Sequence, residues 1–403
     1  MNQKTYISTL NALLVSQNGP GVSSHLEQEF RNMSCIKSPT CDLNSVDGDH
    51  REFIKYFVEA LVHSKNQQHT SAFEKLSESF KIFVDKSFVK GAVWTIPVIK
   101  IYSKYVRLFA ESANKVQGAR STNVDDDEQS SSTEGPLGIA ARQFMEVFRK
   151  VIPEKSELKE SRKWVLLDII NNLLRIYFKL NTLRMCKNVI QPVESSTQLP
   201  PFEGFSTAEK VTYKYYAGRF AMYESDFVKA RERLQYAFTH CHPGAENNKR
   251  MTLRYLICVN LVIGCTPKQS LLTRYGMDEF SDLVKGYRVG NLKLFQESLD
   301  KHQMLFIRKG IYLILDKAKI VVFRNLFKNI AALHKDPSRL PLKNLKICLD
   351  HLGYDMDVDE VECMMSVLIY KGYIKGYLSH AKQTAVLGKK NAFPALERQH
   401  ISD

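Results

Sequence analysis

The feature that most constrains this chain is the recurrence of apolar residues at three- and four-residue intervals. Ile54, Phe57, Val58, Leu61 and Val62 lie at i, i+3, i+4, i+7 and i+8, the period of a helix that buries one face. Phe73, Leu76, Phe80 and Phe83 form a second stripe. Beyond Pro97, which is expected to interrupt or kink the backbone, Val98, Ile101, Tyr105 and Leu108 form a third. Ile170, Leu173, Leu174, Tyr177 and Phe178 give the clearest stripe of all. Nineteen Gly and thirteen Pro among 403 residues are too few for a turn-rich all-β chain, which strengthens the helical reading.

Two stretches break the helical period. Val116 to Gly138 holds Asp125, Asp126, Asp127, Glu128 and a run of three serines with almost nothing apolar, so a solvated, mobile acidic loop is expected over 116–138. Gln191 to Gly204 carries Pro192, Pro200, Pro201 and Gly204 and reads as a connector. The first 48 residues are expected to be a mobile extension. From Thr212 the spacing matches a tetratricopeptide-like hairpin, with Gly218 in the small-residue slot and Ala230, Leu234 and Ala237 on the second-helix packing positions. Weaker echoes follow turn residues at Asn181, Asp226 and Asn291. Their irregular spacing predicts a divergent helical solenoid.

After Ile320 the pattern changes. Phe323, Phe327 and Ile330 mark one helix, Leu342, Leu345, Leu349 and Leu352 a second, and Val361, Met364, Met365, Leu368 and Ile369 a third. Asp357 is the expected N-cap of the third helix, with Glu360 completing a capping box and Gly372 a stop. Strand candidates follow at Tyr373–His380 and Thr384–Leu387, joined by a turn that contains Lys382. Three helices and a hairpin make a winged helix.

The formal charge of +14 attracts polyanions, nucleic acid first among them. Phosphate binding also needs cations gathered on one surface. From Ile320 to Asp403 there are twelve Lys/Arg against nine Asp/Glu, and Asp355, Asp357, Asp359, Glu360 and Glu362 crowd the start of the third helix. Those acids argue against ordinary major-groove reading. The remaining cations, Arg324, Lys328, Lys343, Lys346, Lys371, Lys375, Lys382, Lys389 and Lys390, are the candidate nucleic-acid surface, and Lys249, Arg250 and Arg254 a secondary basic patch. Tyr370, Tyr373 and Tyr377 lie near the wing lysines, and period-2 spacing would put Tyr373, Lys375 and Tyr377 on one strand face.

No catalytic constellation emerges. His240-Cys241-His242 is the one dense His/Cys cluster, and adjacent residues at a helix end point in different directions. Gly264-Cys265-Thr266-Pro267-Lys268 lacks the frame that wraps a phosphate. No cofactor, metal or small-molecule substrate is expected. No apolar run reaches the ~18 to 20 residues of a membrane-spanning helix, so no membrane partner is expected. The N-terminus lacks the apolar block of a secretory signal, and eight cysteines without framework spacing fit a reducing compartment.

Helical repeats that run into a winged helix are the architecture of the PCI family. Val211 to His242, Asn248 to Leu256, Gly290 to Asn329 and Asp357 to His380 resemble that family closely, and within it the branch that serves mRNA export. The similarity runs from roughly Asp49 to Leu396; Asn391-Ala392-Phe393-Pro394 departs from it, with Ala where another Pro is usual. The resemblance implies an all-α, tetratricopeptide-like solenoid capped by a C-terminal winged helix. Its implied parts are an extension over 1–48, N-terminal repeats over 49–204, PCI-type repeats over 205–319, a winged helix over 320–390 and a tail over 391–403. It also implies a non-enzymatic subunit of a nuclear TREX-two-type complex in mRNA export, paired with a larger PCI scaffold protein and a small acidic subunit shared with the proteasome lid. RNA would lie on the winged helix. The implied location is the nucleus, including the nuclear pore, with the cytoplasm as an additional one. The competing readings are a signalosome- or proteasome-lid-like subunit without nucleic-acid binding and, in a different class, a hydrolase using His240 to His242.

Overall fold

The helical period is realised along most of the chain. The computed structural model describes residues 2–39, 43, 46–89, 93–121, 135–155, 157, 160–196, 199–336 and 338–396. Among these are eighteen α-helices and one three-stranded sheet. The chain divides into two compact units, Met1–Tyr216 and Ala217–Asp403.

The first unit contains α1 (Gln3–Val15), α2 (Gly19–Asn32), α3 (Gly48–Lys65), α4 (His69–Phe83), α5 (Thr95–Ser121), α6 (Pro136–Val151), α7 (Leu166–Lys179) and α8 (Arg184–Ser195). α9 (Thr207–Tyr223) contains the division between the units. Ile54, Phe57, Val58 and Leu61 on α3, and Phe73, Leu76, Phe80 and Phe83 on α4, are buried as their spacing requires. α3 packs on α4, α4 on α5, and α6 on α7.

Several expectations are corrected here. Residues 3–32 form a helical hairpin, whose Tyr6, Leu10, Leu14, Val22, Leu26 and Phe30 are buried. Phe30 stacks on Tyr105 with ring centroids 4.0 Å apart, so this segment belongs to the core of the first unit. Pro97 neither interrupts nor kinks a helix, because it is the third residue of α5, where its missing N–H has no partner to lose. Of the expected α5 stripe, Val98 and Tyr105 are buried, but the other two positions lie off the centre of the buried face. Tyr102 and Val106 are fully buried, whereas Ile101 and Leu108 are half-buried. The ends of the stretch expected as an acidic loop are helical, since α5 continues to Ser121 and α6 begins at Pro136; the remainder of that expectation, 122–134, lies outside the described residues. Pro192 sits inside α8, so the connector begins only at Ser196.

One turn recurs. Gln17, Gln67, Asn181, Ser225 and Gly290 adopt positive φ at helix C-termini. In each case the next N–H, of Asn18, Gln68, Thr182, Asp226 and Asn291, closes back on a carbonyl five residues earlier, at 2.9–3.0 Å. Asn18, Asp226 and Asn291 then cap the next helix by accepting from the N–H three residues on. Three of these five turns are visible in the sequence through Asn181, Asp226 and Asn291. The other two have Gln at the left-handed position, a residue that carries no turn signal.

In the second unit, α10 (Phe227–His240), α11 (Glu246–Ile263), α12 (Gln269–Arg274), α13 (Ser281–Val289), α14 (Leu292–Lys301) and α15 (Gln303–Arg308) lead into α16 (Tyr312–Leu333). Ala230, Leu234 and Ala237 are fully buried, and a Cβ on Gly218 would come within 2.8 Å of Leu234 Cγ. The tetratricopeptide-like packing positions therefore behave as such. The winged helix comprises α16, β1 (Arg339–Pro341), α17 (Leu342–His351), α18 (Val358–Tyr370), β2 (Gly376–Ser379) and β3 (Thr384–Leu387). α16 is continuous through residue 320. The sheet order is β1-β3-β2, antiparallel throughout. β1 has no counterpart among the expected strands, because three residues ending in proline carry no periodic signal.

A buried polar network joins α5 and α7. The Asp168 carboxylate accepts from the Ser103 hydroxyl at 2.8 Å and the Asn172 amide at 3.1 Å, and Asn172 in turn accepts from Arg107 at 2.8 Å. Burial pushes the Asp168 carboxyl up to about 6, against the lowering effect of Ser103. The folded state thus binds a proton more tightly than the unfolded chain. Stability contributed by this group is lost as pH rises from ~4 to ~6.

Two outcomes follow from this packing. Asp168→Asn should leave urea stability nearly unchanged at pH 4 and raise it relative to wild type by about 1–3 kcal/mol at pH 7.5, with the difference developing between those values. Gly290 has φ +72° and a Cβ there would lie 2.3 Å from the backbone nitrogen of Leu326, whereas Gly310, at φ +67°, faces open space. Gly310→Ala should cost only the left-handed backbone term, about 1–2 kcal/mol, and Gly290→Ala clearly more by thermal or urea unfolding.

Candidate nucleic-acid interface

The wing is built by local rules. α18 starts with a capping box, in which Asp357 accepts from the Glu360 N–H at 2.7 Å and Glu360 accepts from the Asp357 N–H at 2.9 Å. It buries Val361, Met365 and Leu368, while Met364 only lines a groove. After the turn at Gly372, Tyr373 and Ile374 enter the core and the chain turns out into β2.

The nine candidate cations do not share one surface. Arg324 is internal, at 7% exposure. Its guanidinium donates to the Tyr373 carbonyl at 3.2 Å, the Pro394 carbonyl at 2.7 Å and the Asn325 side chain at 2.9 Å, and it lies over the Phe393 ring. Burial lowers its pKa from the ordinary guanidinium value. Arg324 is therefore withdrawn from the phosphate-binding set, because its donors are already used to close the fold. Lys346 is paired with Asp350 at 2.7 Å, one helical turn on, which raises its pKa and neutralises its charge locally. Lys371 is exposed at the rim of a groove of ≈ 940 Å³ between α16 and α18, together with Lys317 and Lys319. Lys328 is exposed on α16, and no hydrogen bond or ion pair joins it to the wing among the described residues.

The remaining five form two groups. The Lys375 N–H donates to the Ala392 carbonyl and its own carbonyl accepts from the Gly388 N–H, both at 2.8 Å. This brings exposed Lys375, Lys389 and Lys390 together at the open end of the hairpin. At the other end, the Leu342 N–H donates to the Gln383 carbonyl at 2.9 Å, placing exposed Lys343 beside the turn that carries Lys382. None of the five forms an ion pair with the described residues. His380, in the same turn, bonds Glu362 of α18 at 2.9 Å, and that carboxylate raises the imidazole pKa.

Two other expectations change. Arg254 is ion-paired with Glu279 at 3.0 Å with both side chains largely buried, Arg250 donates to the Gly276 carbonyl at 2.7 Å, and Lys249 lies over the Phe238 ring. Arg254 is thereby removed from the secondary patch, whereas Arg250 stays exposed and Lys249 half-buried. Tyr373 is core while Tyr377 is 63% exposed, because residue 373 precedes the strand and does not share its alternation. One cation escaped sequence reading. Arg339 is exposed on β1, opposite Val386, and was hidden with its strand.

At the end of α10 the histidines and the cysteine diverge. His240 stacks on Tyr236, Cys241 is buried, and His242 accepts from the Gly244 N–H. Among the described residues no cluster of three or more His, Cys, Asp or Glu has metal-binding geometry.

The comparisons with known proteins decide the family. The PCI domain profile matches residues 299–389, from α14 to just past β3. PCI domain-containing protein 2 of Danio rerio is 40% identical over 306 residues, which is 75% of this chain and 73% of that protein. The chain belongs to the PCI domain-containing protein 2 family. A Dictyostelium discoideum homolog is 35% identical over 361 residues, 88% of this chain and 80% of its own length. Enhanced ethylene response protein 5 of Arabidopsis thaliana is 34% identical over 338 residues, 82% of this chain and 77% of its own. Membership in this family makes the chain a PCI-type scaffold protein.

Arg324→Leu should lower urea stability by about 2–4 kcal/mol, since two buried carbonyls lose their donor. Lys346→Ala should change it by less than about 1 kcal/mol, as expected for a surface pair.

Proposed function

We propose that the chain is a non-enzymatic PCI scaffold subunit of a nuclear TREX-two-type complex. It pairs with a larger PCI scaffold protein and a small acidic subunit shared with the proteasome lid. Its winged helix contributes a basic surface for RNA during mRNA export. The observation that supports this reading is the gathering of Lys375, Lys389 and Lys390 by backbone hydrogen bonds at the open end of the hairpin, with no acid paired to them among the described residues. Three such cations suit phosphate contact that is weakly sequence-selective and salt-sensitive. One module alone binds weakly; a second basic module alongside it lengthens the track, so affinity belongs to the assembly.

A signalosome- or lid-like role without nucleic acid is favoured by the other end of the winged helix, where Asp355, Asp357, Asp359, Glu360 and Glu362 repel phosphate.

The readings separate in one experiment. The tagged chain is purified from native extract with its companions, and RNA retention is compared with that of Lys375→Glu/Lys389→Glu/Lys390→Glu. Removing three phosphate contacts and reversing their sign should reduce retention by about tenfold or more, and flatten its salt dependence, without loss of companions. Unchanged retention, together with signalosome or lid subunits as companions, would select the second reading.

A further inference from the structure

The register of the wing sheet places an aromatic ring and a cation in one row. Arg339 pairs with Val386, and Val386 pairs with Tyr377, so the three side chains project from the same face. Leu340, Ala385 and Leu378 form the adjacent row on the opposite face, where Leu340 and Ala385 are fully buried. Arg339, Val386 and Tyr377 therefore occupy the outer face. Tyr377 is 63% exposed, and it has no ring or hydrogen-bond partner among the described residues. With neighbouring strands ~4.8 Å apart, its ring lies about 10 Å from the Arg339 strand position across Val386.

The ends of this face carry the two lysine groups, Lys375, Lys389 and Lys390 at one and Lys343 and Lys382 at the other. Four-residue strands separate those ends by roughly 13 Å. Acids flank both ends: Asp336, still anionic while it accepts from the Ser338 hydroxyl, is coupled to Arg339, and Glu362 is bonded by His380 in the turn that carries Lys382. An anionic chain crossing the face thus meets cations, then a bare π surface beside a guanidinium, then cations again.

This order of groups discriminates between nucleic-acid forms. In a duplex the faces of the bases are covered by their neighbours, and only phosphates and groove edges meet a flat protein surface. The ring face of a solvent-facing tyrosine can stack only on a base that is unstacked and turned toward it, whereas its hydroxyl could bond phosphate in either form, a contact that Tyr377→Phe removes. Duplex reading by α18 is disfavoured by the acids at its start.

We propose that the outer face of the wing sheet selects single-stranded RNA, stacking a base on Tyr377 while Arg339 and the lysines at both ends hold the flanking phosphates. This rests on the RNA-binding reading above and adds the form of RNA and the residue that selects it. The test uses the full chain as purified with its companions, and follows the anisotropy of a fluorescein-labelled oligouridine of about 15 nucleotides and of an RNA duplex of similar length. Tyr377→Ala should weaken oligouridine binding by about tenfold, while Tyr377→Phe stays within about twofold of wild type. Both should leave duplex binding and the salt slope unchanged. Arg339→Gln should reduce the oligouridine salt slope by about one contact. If Tyr377→Ala leaves oligouridine binding intact, or weakens duplex equally, while reversal of Lys375, Lys389 and Lys390 still lowers affinity, base stacking is overturned and RNA binding stands. If that reversal affects neither probe, or wild type binds neither, RNA binding fails and the stacking proposal with it.

Discussion

The geometry of the winged helix depends on one buried guanidinium. Arg324 reaches from α16 to the Tyr373 carbonyl, where the wing begins, and to the Pro394 carbonyl, where the chain returns. A charged group taken out of water is tolerated when it is well bonded; here each of the three guanidinium nitrogens donates once, the third to Asn325, and the Phe393 ring lies under the cation. Through it the tail is held against the strand, so that Ala392 can accept from Lys375. The lysine group at the open end of the hairpin is thus held in place by a cation that is itself almost wholly buried. An arginine that looks like part of the charged surface is the means by which that surface is assembled.

The same division of labour runs through the second unit. Arg254 neutralises Glu279 beneath α11, and Arg250 satisfies a carbonyl at the turn that ends α12. Arg254 and Arg250 close the fold, whereas Lys343, Lys375, Lys382, Lys389 and Lys390, without an ion pair among the described residues, flank the sheet. In the first unit the Asp168 network plays the comparable internal role, at the cost of holding a carboxyl away from its ordinary ionisation. A scaffold needs few moving parts, and both networks bind neighbouring elements at fixed positions.

Legibility in the sequence followed the physics of each element. The helices of the repeats and the cap were readable because one-sided burial imposes a 3.6-residue period, and Ile54, Phe57, Leu61, Leu342, Leu345 and Leu349 obey it. The capping box at Asp357 and Glu360 was readable because both partners lie within one turn. The N-terminal hairpin was not read, although Tyr6, Leu10 and Leu14 keep the same four-residue spacing on one buried face, so the local signal was present and missed. β1 was not read either, because a three-residue strand is defined by its partner β3 and has no period of its own.

The amino-acid order alone determined the helical class, the change to a three-helix and hairpin cap near the C-terminus, the tetratricopeptide-like positions around Gly218 and Leu234, and the family. All of these rest on contacts or patterns between residues close in the chain. It could not decide which cations are free. Charge is a property of a residue, but availability depends on groups far away in sequence, as with Arg324 and Pro394, seventy positions apart. Only the tertiary structure removed Arg324, Lys346 and Arg254 from the candidate surface and placed Arg339 in register with Tyr377, because strand pairing and burial are fixed by long-range packing.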